Sequence, residues 1–265
     1  MASFTTSDGV TIAYDDIAPP GGANRTILLI HGFASNRNEG WRRTGWYGAF
    51  ERRGMRVIAL DQRGHGESEK LYDPEAYARE KLATDTFAVL DHLGVERADV
   101  FGYSMGTRTA LAMALADPDR VSNLILGGVG GKLREPSPAV EGNPMADAML
   151  AADPATISQE MLRSFRQFAD EQGEDRKALA AVTGVKNPPF DWDAVAALPM
   201  PVLVVAGRDD TGAGDPQDLA RVFPHGKSMA IPGCDHFSAI PHALTKAAVF
   251  DFLDGMMDDD FPAFE

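Results

Sequence analysis

One serine lies between two glycines in a pattern that suits nucleophilic catalysis. The stretch Gly102-Tyr-Ser-Met-Gly106 follows a short apolar run and precedes an Ala- and Leu-rich run that ends at Asp117-Pro118. A strand, a tight turn and a helix in this order place Ser104 at the tip of the turn with its hydroxyl exposed. The helix N-terminus favours developing negative charge, and the Met105 amide points at the same space. Hydrolysis of an ester or amide needs this combination of nucleophile and donor.

The C-terminal part of the chain offers a base and an acid for this serine. Gly207-Arg-Asp-Asp210 follows an apolar run of strand length, so two carboxylates lie where ligands bind in open α/β sheets. His236 follows the last predicted strand in a Gly-containing loop. A neutral imidazole can accept the serine proton, and a carboxylate holds the imidazole in the correct tautomer. The residues themselves leave either Asp209 or Asp210 as the acid.

A second donor for an oxyanion is expected where another strand ends. Thr26–Ile30 is a nearly all-apolar run that leads into His31-Gly-Phe33. We expect the end of this strand to bring the Phe33 backbone amide beside Ser104, opposite the Met105 amide. His31 itself is expected to have a structural role.

A polar loop with two glycines follows the next predicted strand. It runs Asp61-Gln-Arg-Gly-His-Gly-Glu-Ser68, and several of its side chains can bond backbone groups. We expect Asp61, Arg63 and His65 to brace this loop. The alternative is a catalytic role for one of the three.

The order of these motifs resembles that of α/β-hydrolases with a helical cap, over nearly the whole chain. The matching pieces are His31-Gly-Phe33, Asp61-x-Arg-Gly-His-Gly-x-Ser68, Gly102-Tyr-Ser-Met-Gly106, Gly207-x-x-Asp210 and Asp235-His236. The resemblance implies Ser104 as nucleophile, His236 as base and Asp210 rather than Asp209 as the acid. It also implies the Phe33 and Met105 amides as the oxyanion hole, and no cofactor.

Alternating strand and helix patterns predict a mostly parallel, doubly wound sheet of eight strands, which is an α/β fold. The alternation stops after the sixth strand. Residues 132–198 are therefore predicted to form a small helical cap, and residues 1–131 and 199–265 the α/β-hydrolase core. Asp258–Asp260 begins a tail that is predicted to be a solvated acidic segment rather than a metal site.

Two groups of apolar side chains are candidates for contacting a substrate. Met145, Met149 and Phe165 repeat at helical spacing in the predicted cap, where they would form an apolar wall or simply bury the cap against the core. Trp41 and Trp46 lie in the loop after the Phe33 segment. They would line the mouth of a pocket or anchor the helix that follows.

Composition limits the partners. The chain has 265 residues with 25 basic and 39 acidic side chains, a net charge of -14, which argues against nucleic acid and anionic membrane surfaces. A single cysteine, Cys234, excludes an intramolecular disulfide. With no predicted signal peptide or transmembrane segment, we expect a cytoplasmic protein. No metal is expected, and the oligomeric state stays open.

The first functional hypothesis is a serine carboxylesterase acting on small esters with short acyl groups. The alternatives are a lactonase, a perhydrolase, or a carbon–carbon bond hydrolase of ring-cleavage diketones. The last would need a basic contact for a dienoate carboxylate, with Arg42, Arg43 and Arg63 as candidates. A ligand receptor that keeps the triad is the non-enzyme alternative.

Overall fold

The computed structural model describes residues 2–135 and 142–257, which form one sheet flanked by helices. The eight strands follow the order β1-β2-β4-β3-β5-β6-β7-β8. Their bounds are β1 Ala2–Thr5, β2 Thr11–Ile17, β3 Arg25–Ile30, β4 Met55–Leu60, β5 Ala98–Tyr103, β6 Val121–Gly127, β7 Val202–Gly207 and β8 Gly226–Ile231. β2 pairs in antiparallel fashion with both β1 and β4. Along the order β4-β3-β5-β6-β7-β8, all neighbouring strands are parallel. The predicted eight-stranded α/β fold is confirmed.

Helices connect the strands. In the described residues the α-helices are α1 Trp46–Glu51, α2 Arg79–His92, α3 Met105–Ala116, α4 Pro144–Leu150, α5 Glu160–Gln172, α6 Arg176–Gly184, α7 Trp192–Ala196, α8 Pro216–Ala220 and α9 Ala243–Leu253. Short turns of 3-10 helix cover Pro74–Tyr77, Pro118–Arg120, Gly131–Arg134 and Pro154–Thr156, and a π-helical turn covers Asn38–Arg42.

The apolar strand sequences are explained by burial on both faces of the sheet. Every residue of β5 and β7 is buried. Side chains of alternate residues enter two core clusters: Val100 and Val204 face one cluster, whereas Phe101 and Val205 face the other. Near-continuous apolar strands are expected where helices cover both faces of a parallel sheet.

The carboxyl ends of the central strands meet at one edge, which positions the loops that carry the candidate site. Ile30 of β3 pairs with Gly102 of β5, and Tyr103 of β5 pairs with Gly127 of β6. β3 lies between β4 and β5. The strand order therefore reverses between β3 and β5: the chain goes from β3 to β4 on one side and then to β5 on the other. Crevices at such a switch point are where ligands bind in open α/β sheets.

Helices α4 to α7 fill the interval between β6 and β7. α4, α5 and α6 pack on one another through an apolar cluster that includes Met149, Ala169 and Leu179. Residues of the post-β3 loop, Phe33 and Ala34, belong to the same cluster, so these helices lie over that loop. α7 instead packs with the larger core cluster through Val195. The boundary of the cap at residues 132–198 stays a prediction.

No helix in the described part of the chain is long and apolar enough to cross a bilayer. Cys234 is buried and unpaired. The predicted acidic tail, Asp258–Asp260, lies outside the described residues.

Candidate active site

A strained turn holds Ser104 between β5 and α3. Ser104 has φ 55° and ψ -114°, a conformation that side-chain-bearing residues rarely adopt. Its amide donates to the Gly127 carbonyl at 2.8 Å, and the Thr107 hydroxyl contacts the Gly102 and Gly127 carbonyls at 2.9 and 3.0 Å. These bonds tie the turn to β6. The surrounding structure therefore maintains a backbone strain of the kind that is common at functional sites.

The two glycines of the motif are required by close backbone contacts. A Cβ on Gly102 would lie 2.3 Å from the Gly106 carbonyl oxygen, and a Cβ on Gly106 would lie 2.1 Å from that of Ile30. Both distances are far shorter than van der Waals contact. Glycine at these positions lets α3 start directly against β5 and β3, which brings Ser104 to the edge of the sheet.

One histidine bridges the serine and a carboxylate. His236 Nε2 lies 2.9 Å from Ser104 Oγ, and His236 Nδ1 lies 2.6 Å from Asp210 Oδ2. The other carboxylate oxygen of Asp210 accepts the amides of Gly212 and Ala213, each at 3.1 Å. These bonds orient the buried Asp210 carboxylate toward the imidazole.

Asp209 occupies a different position from its neighbour. Its backbone amide donates to the Cys234 carbonyl at 2.9 Å, and its side chain is exposed. Of the two carboxylates that the sequence leaves open, the one in contact with His236 is that of Asp210.

A turn after β8 presents the histidine. The Asp235 carboxylate accepts the Ser238 hydroxyl at 2.6 Å and the amides of Phe237 and Ser238 at 3.0 and 2.8 Å. The Ser238 hydroxyl and these amides lower the pKa of Asp235. On the other side, the Tyr103 hydroxyl donates to the His236 carbonyl at 2.7 Å. The Asp235 bonds thus brace the turn from within, and the Tyr103 bond ties it to β5.

This geometry is accompanied by sequence similarity to one large family. A sequence model of the α/β hydrolase fold matches residues 25–179, more than half of the chain. The chain belongs to the α/β-hydrolase fold family. Among curated relatives of this hydrolase, 2-hydroxymuconate semialdehyde hydrolase of Pseudomonas putida is 29% identical over 233 residues, which cover 82% of each chain.

Other members of the family are similar over nearly their whole length. The 2-hydroxy-6-oxononadienedioate/2-hydroxy-6-oxononatrienedioate hydrolase of Paraburkholderia phymatum is 27% identical to this hydrolase over 258 residues, covering 88% of each chain. The solved structure of a thermophilic esterase from Thermogutta terrifontis has a TM-score of 0.77 at 25% identity and covers 96% of this chain and 98% of that one.

Two cavities in this hydrolase share Ser104, Phe165, His236 and Phe237 as walls. The larger cavity has a volume of about 490 Å³ and is also lined by the Arg108 and Lys132 side chains. The smaller has a volume of about 170 Å³ and is also lined by Phe33, Phe168 and Ile240. The serine and histidine therefore lie at the junction between a larger, partly charged space and a smaller, largely apolar one.

The expected second oxyanion donor lies on the loop after β3. A Cβ on Gly32 would lie 3.2 Å from the Ser104 Cβ, so the Gly32–Phe33 segment runs along Ser104. Met105 is the first residue of α3, where backbone amides lack a partner within the helix. The use of the Phe33 and Met105 amides as an oxyanion hole stays a prediction.

Of the cap residues predicted to contact a substrate, one lines the cavities and two do not. Phe165 lines both cavities. Met149 is fully buried among α4, α5 and α6, and Met145 packs on the same cluster, so neither borders the described cavities. For these two methionines, burial of the helical segment is the alternative that matches the structure.

Trp41 and Trp46 do not lie at the mouth of a pocket, which corrects one of the two alternatives for them. Both are fully buried, and their rings lie 4.8 and 5.1 Å from that of Phe101 in β5. The Trp46 indole also donates to the Ile240 carbonyl at 3.0 Å. Large aromatic rings bury much apolar area, so they anchor α1 to the core instead.

The basic residues at the site are also different from those expected. Arg42 and Arg63 pair with carboxylates outside both cavities, and Arg43 pairs with Glu39 of the smaller cavity. None of the three arginines lines either cavity itself. Arg108 and Lys132 line the larger cavity. Sequence reasoning missed both, although the position of Arg108, four residues after Ser104 on a predicted helix, was a usable signal.

The polar residues near β3 and β4 brace their loops. His31 is buried, accepts the Gln62 amide at Nε2 and contacts the Gly32 carbonyl through Nδ1. Burial lowers the pKa of His31 to about 4, so the neutral form predominates. Asp61 accepts the amides of Arg37 and Glu67. The hydrogen-bond partners of His31 and Asp61 are thus groups of the loops after β3 and β4, as expected for structural roles.

Within residues 2–135 and 142–257, no three His, Cys, Asp or Glu side chains are arranged to hold a metal ion.

Proposed function

We propose that this protein is a serine esterase that hydrolyses small carboxylic esters through an acyl-enzyme intermediate. Ser104 is the nucleophile, His236 the general base and Asp210 the acid that orients it. The observation that carries the proposal is the pair of contacts made by His236, 2.9 Å to Ser104 Oγ and 2.6 Å to Asp210 Oδ2. One imidazole in contact with both groups can accept the serine proton while the carboxylate stabilises the resulting cation.

The proposed reaction has two balanced halves. Ser104 Oγ attacks the ester carbonyl while His236 Nε2 takes the hydroxyl proton, and the carbonyl oxygen becomes an oxyanion. The Phe33 and Met105 amides donate to this oxygen. When the carbon–oxygen bond to the alcohol breaks, His236 returns the proton to the leaving oxygen. A water molecule, deprotonated by His236, then attacks the acyl-enzyme and releases the acid and the free Ser104 hydroxyl.

The two cavities favour a small acyl group and a larger leaving group. The 170 Å³ cavity is smaller than the roughly 300–1,000 Å³ of sites for drug-sized ligands. Its walls include Phe168 and Ile240, and it suits a short apolar chain. The 490 Å³ cavity would take the alcohol part. Helices α4 to α6 would act as the cap, since Phe165 of α5 lines both spaces.

The proposed reaction uses no cofactor or metal, and its partner is a small-molecule ester. A cytoplasmic location remains a proposal based on the single cysteine.

A carbon–carbon bond hydrolase is the second candidate. It is favoured by two relatives whose names describe hydrolases of semialdehyde and oxo-dienedioate compounds, and by the Arg108 and Lys132 side chains at the larger cavity. Such an enzyme would use the same serine, histidine and carboxylate.

The first test is turnover of p-nitrophenyl esters of increasing acyl length. We expect the rate to peak at short chains and kcat of Ser104→Ala to fall by about five orders of magnitude or more, the scale seen when a triad nucleophile is removed. Ser164→Ala is a matched control, because Ser164 is half-buried on α5 and lines neither cavity. Undiminished turnover in Ser104→Ala would refute the serine mechanism.

Two other outcomes would change the assignment. Steady cleavage of a dienoic diketone at a higher kcat/KM than any simple ester would favour the second candidate. Single-turnover labelling of Ser104 with retained product and no sustained turnover would instead indicate a ligand receptor.

A further inference from the structure

Arg108 lines the larger cavity and has no counter-charge among the residues that the structure describes. It lies on α3 four residues beyond Ser104, and both residues line the same cavity. Among the described residues, no hydrogen-bond acceptor or carboxylate pairs with its guanidinium. Arg108 is exposed on α3, so its guanidinium is accessible from solvent.

The buried arginines Arg37 and Arg63 have carboxylate partners, whereas Arg108 is exposed on α3. Arg63 forms two bonds of 2.7 Å with the buried Asp85, and Arg37 pairs with Asp61. By contrast, partial loss of hydration and the nearby charge of Arg79 lower the pKa of Arg108. Arginine nevertheless stays charged in proteins. An anion placed here would replace lost hydration with charge-assisted hydrogen bonds, which are stronger than neutral ones.

A second cation borders the same space. Lys132 lines the larger cavity, and its ammonium group donates to the Thr211 carbonyl at 2.7 Å. Three carboxylates of the described residues line this cavity. Asp210 contacts His236, and Asp235 accepts hydrogen bonds from its own turn. Asp209 is exposed and does not pair with Arg108. In the part of the chain that the structure describes, none of the three carboxylates of this cavity therefore pairs with Arg108.

We propose that the natural ester carries a carboxylate on its leaving group and that Arg108 binds this carboxylate, with Lys132 adding to the positive field. This inference rests on the proposed esterase function. Four residues of helix correspond to a rise of ~6 Å, so the carboxylate lies a short distance from the ester carbonyl held at Ser104. A leaving group that contains one ring or a chain of similar length between the ester oxygen and the carboxylate fits this separation.

The test compares 3-acetoxybenzoate with its neutral analogue 3-acetoxybenzamide. The two substrates share the acetyl group and the ring, so the ratio of their kcat/KM values reports recognition of the carboxylate. We expect Arg108→Gln to lower the benzoate-to-benzamide ratio by about 10- to 100-fold, the value of a hydrogen bond to a charged group, mainly through KM. Arg108→Lys should restore part of the ratio, because it keeps the charge and loses the fork geometry.

A matched control separates this effect from a change in net charge. Lys177 is an exposed cation on α6 that lines neither cavity, and Lys177→Gln removes the same charge from the protein. We expect this variant to keep the wild-type ratio. High salt should lower the ratio in wild type and have less effect in Arg108→Gln, since exposed charges are screened.

The outcomes distinguish this inference from the esterase proposal. An unchanged ratio in Arg108→Gln, while both esters are still cleaved in a Ser104-dependent manner, refutes the anion site and leaves the esterase proposal intact. Failure of wild type to cleave any simple ester refutes the esterase proposal first. An Arg108-dependent preference for 4-nitrophenyl hemiglutarate over 4-nitrophenyl pentanoate, without one for the benzoate, would refute the placement of the carboxylate on the leaving group.

Discussion

Replacing Asp210 by asparagine tests the proposed catalytic geometry most directly. Asp210 Oδ1 accepts the amides of Gly212 and Ala213, and Oδ2 contacts His236 Nδ1. In Asp210→Asn the carbonyl oxygen must face the two backbone amides, because the NH₂ group cannot accept their hydrogen bonds. The NH₂ group then faces His236 Nδ1 and donates to it.

This exchange reverses the tautomer of the imidazole. A His236 that accepts a hydrogen bond at Nδ1 carries its own proton on Nε2, the atom that lies 2.9 Å from Ser104 Oγ. Nε2 can no longer take the serine proton. The corresponding change in a serine protease lowers kcat about 10⁴-fold, and we expect a similar loss here. In free energy this is about 5 kcal/mol of transition-state stabilisation.

The assay is hydrolysis of p-nitrophenyl acetate by wild type, Asp210→Asn and Asp209→Asn, with folding checked by circular dichroism. Asp209 is the matched control because it is adjacent and has the same chemistry, whereas the carboxylate in contact with His236 is that of Asp210. Exposed substitutions usually change the free energy of unfolding by less than about 0.5 kcal/mol, so Asp209→Asn should fold normally. Because His236 pairs with Asp210 and Ser104, Asp209→Asn should also keep kcat close to that of wild type. A larger loss for Asp209→Asn than for Asp210→Asn, or a loss below tenfold for the latter, would refute the reasoning.

Two further predictions concern the support of the site. Gly106→Ala places a Cβ 2.1 Å from the Ile30 oxygen and should lower the free energy of unfolding by more than about 3 kcal/mol, the upper range for overpacking. In Gly48→Ala the new Cβ meets only the end of the flexible Arg52 side chain, so the free energy of unfolding should not fall in this way. Equal free energies of unfolding for the two variants in urea denaturation would contradict the prediction. Burial lowers the pKa of His65 from 6.5 to about 3, so the stability it confers is lost as the pH falls below about 6.5. From pH 7 to 5, the free energy of unfolding of wild type should fall by about 2 kcal/mol more than that of His65→Asn. His225 is exposed, so His225→Asn should show the same fall as wild type. Equal falls in all three proteins would contradict the prediction.

The elements that carry the candidate triad could be predicted because each has a strong local signal. Ser104 lies between two glycines that follow an apolar run, and His236 follows the last such run. Parallel strands bring their carboxyl ends to one edge, so the topology places these loops together. The contact of Asp210 rather than Asp209 with His236 depends on the loop that follows, where two amides bind the carboxylate. Residue types alone do not determine that geometry.

The tryptophans show why loop position is a weak guide to pocket lining. Trp41 and Trp46 follow the Phe33 segment in the chain, but a π-helical turn and α1 carry both rings back onto Phe101. Burial of a large ring is favourable wherever the core has room for it. The same free energy that favours an aromatic ring in a pocket thus favours it in the core, and only the path of the backbone decides between them.

The walls of the two cavities come from segments that are distant in sequence, and this limits what spacing arguments can reach. Phe165 comes from α5 and Phe237 from the turn after β8, and their rings lie 5.5 Å apart. No periodicity relates these positions. Arg108 is different, because its place on α3 relative to Ser104 is set by the geometry of one helix. A charged side chain one turn beyond a nucleophile can therefore be identified from sequence as facing the same space, before the opposing walls are known. Whether it is free to bind substrate depends on those walls, which here supply no carboxylate partner among the described residues.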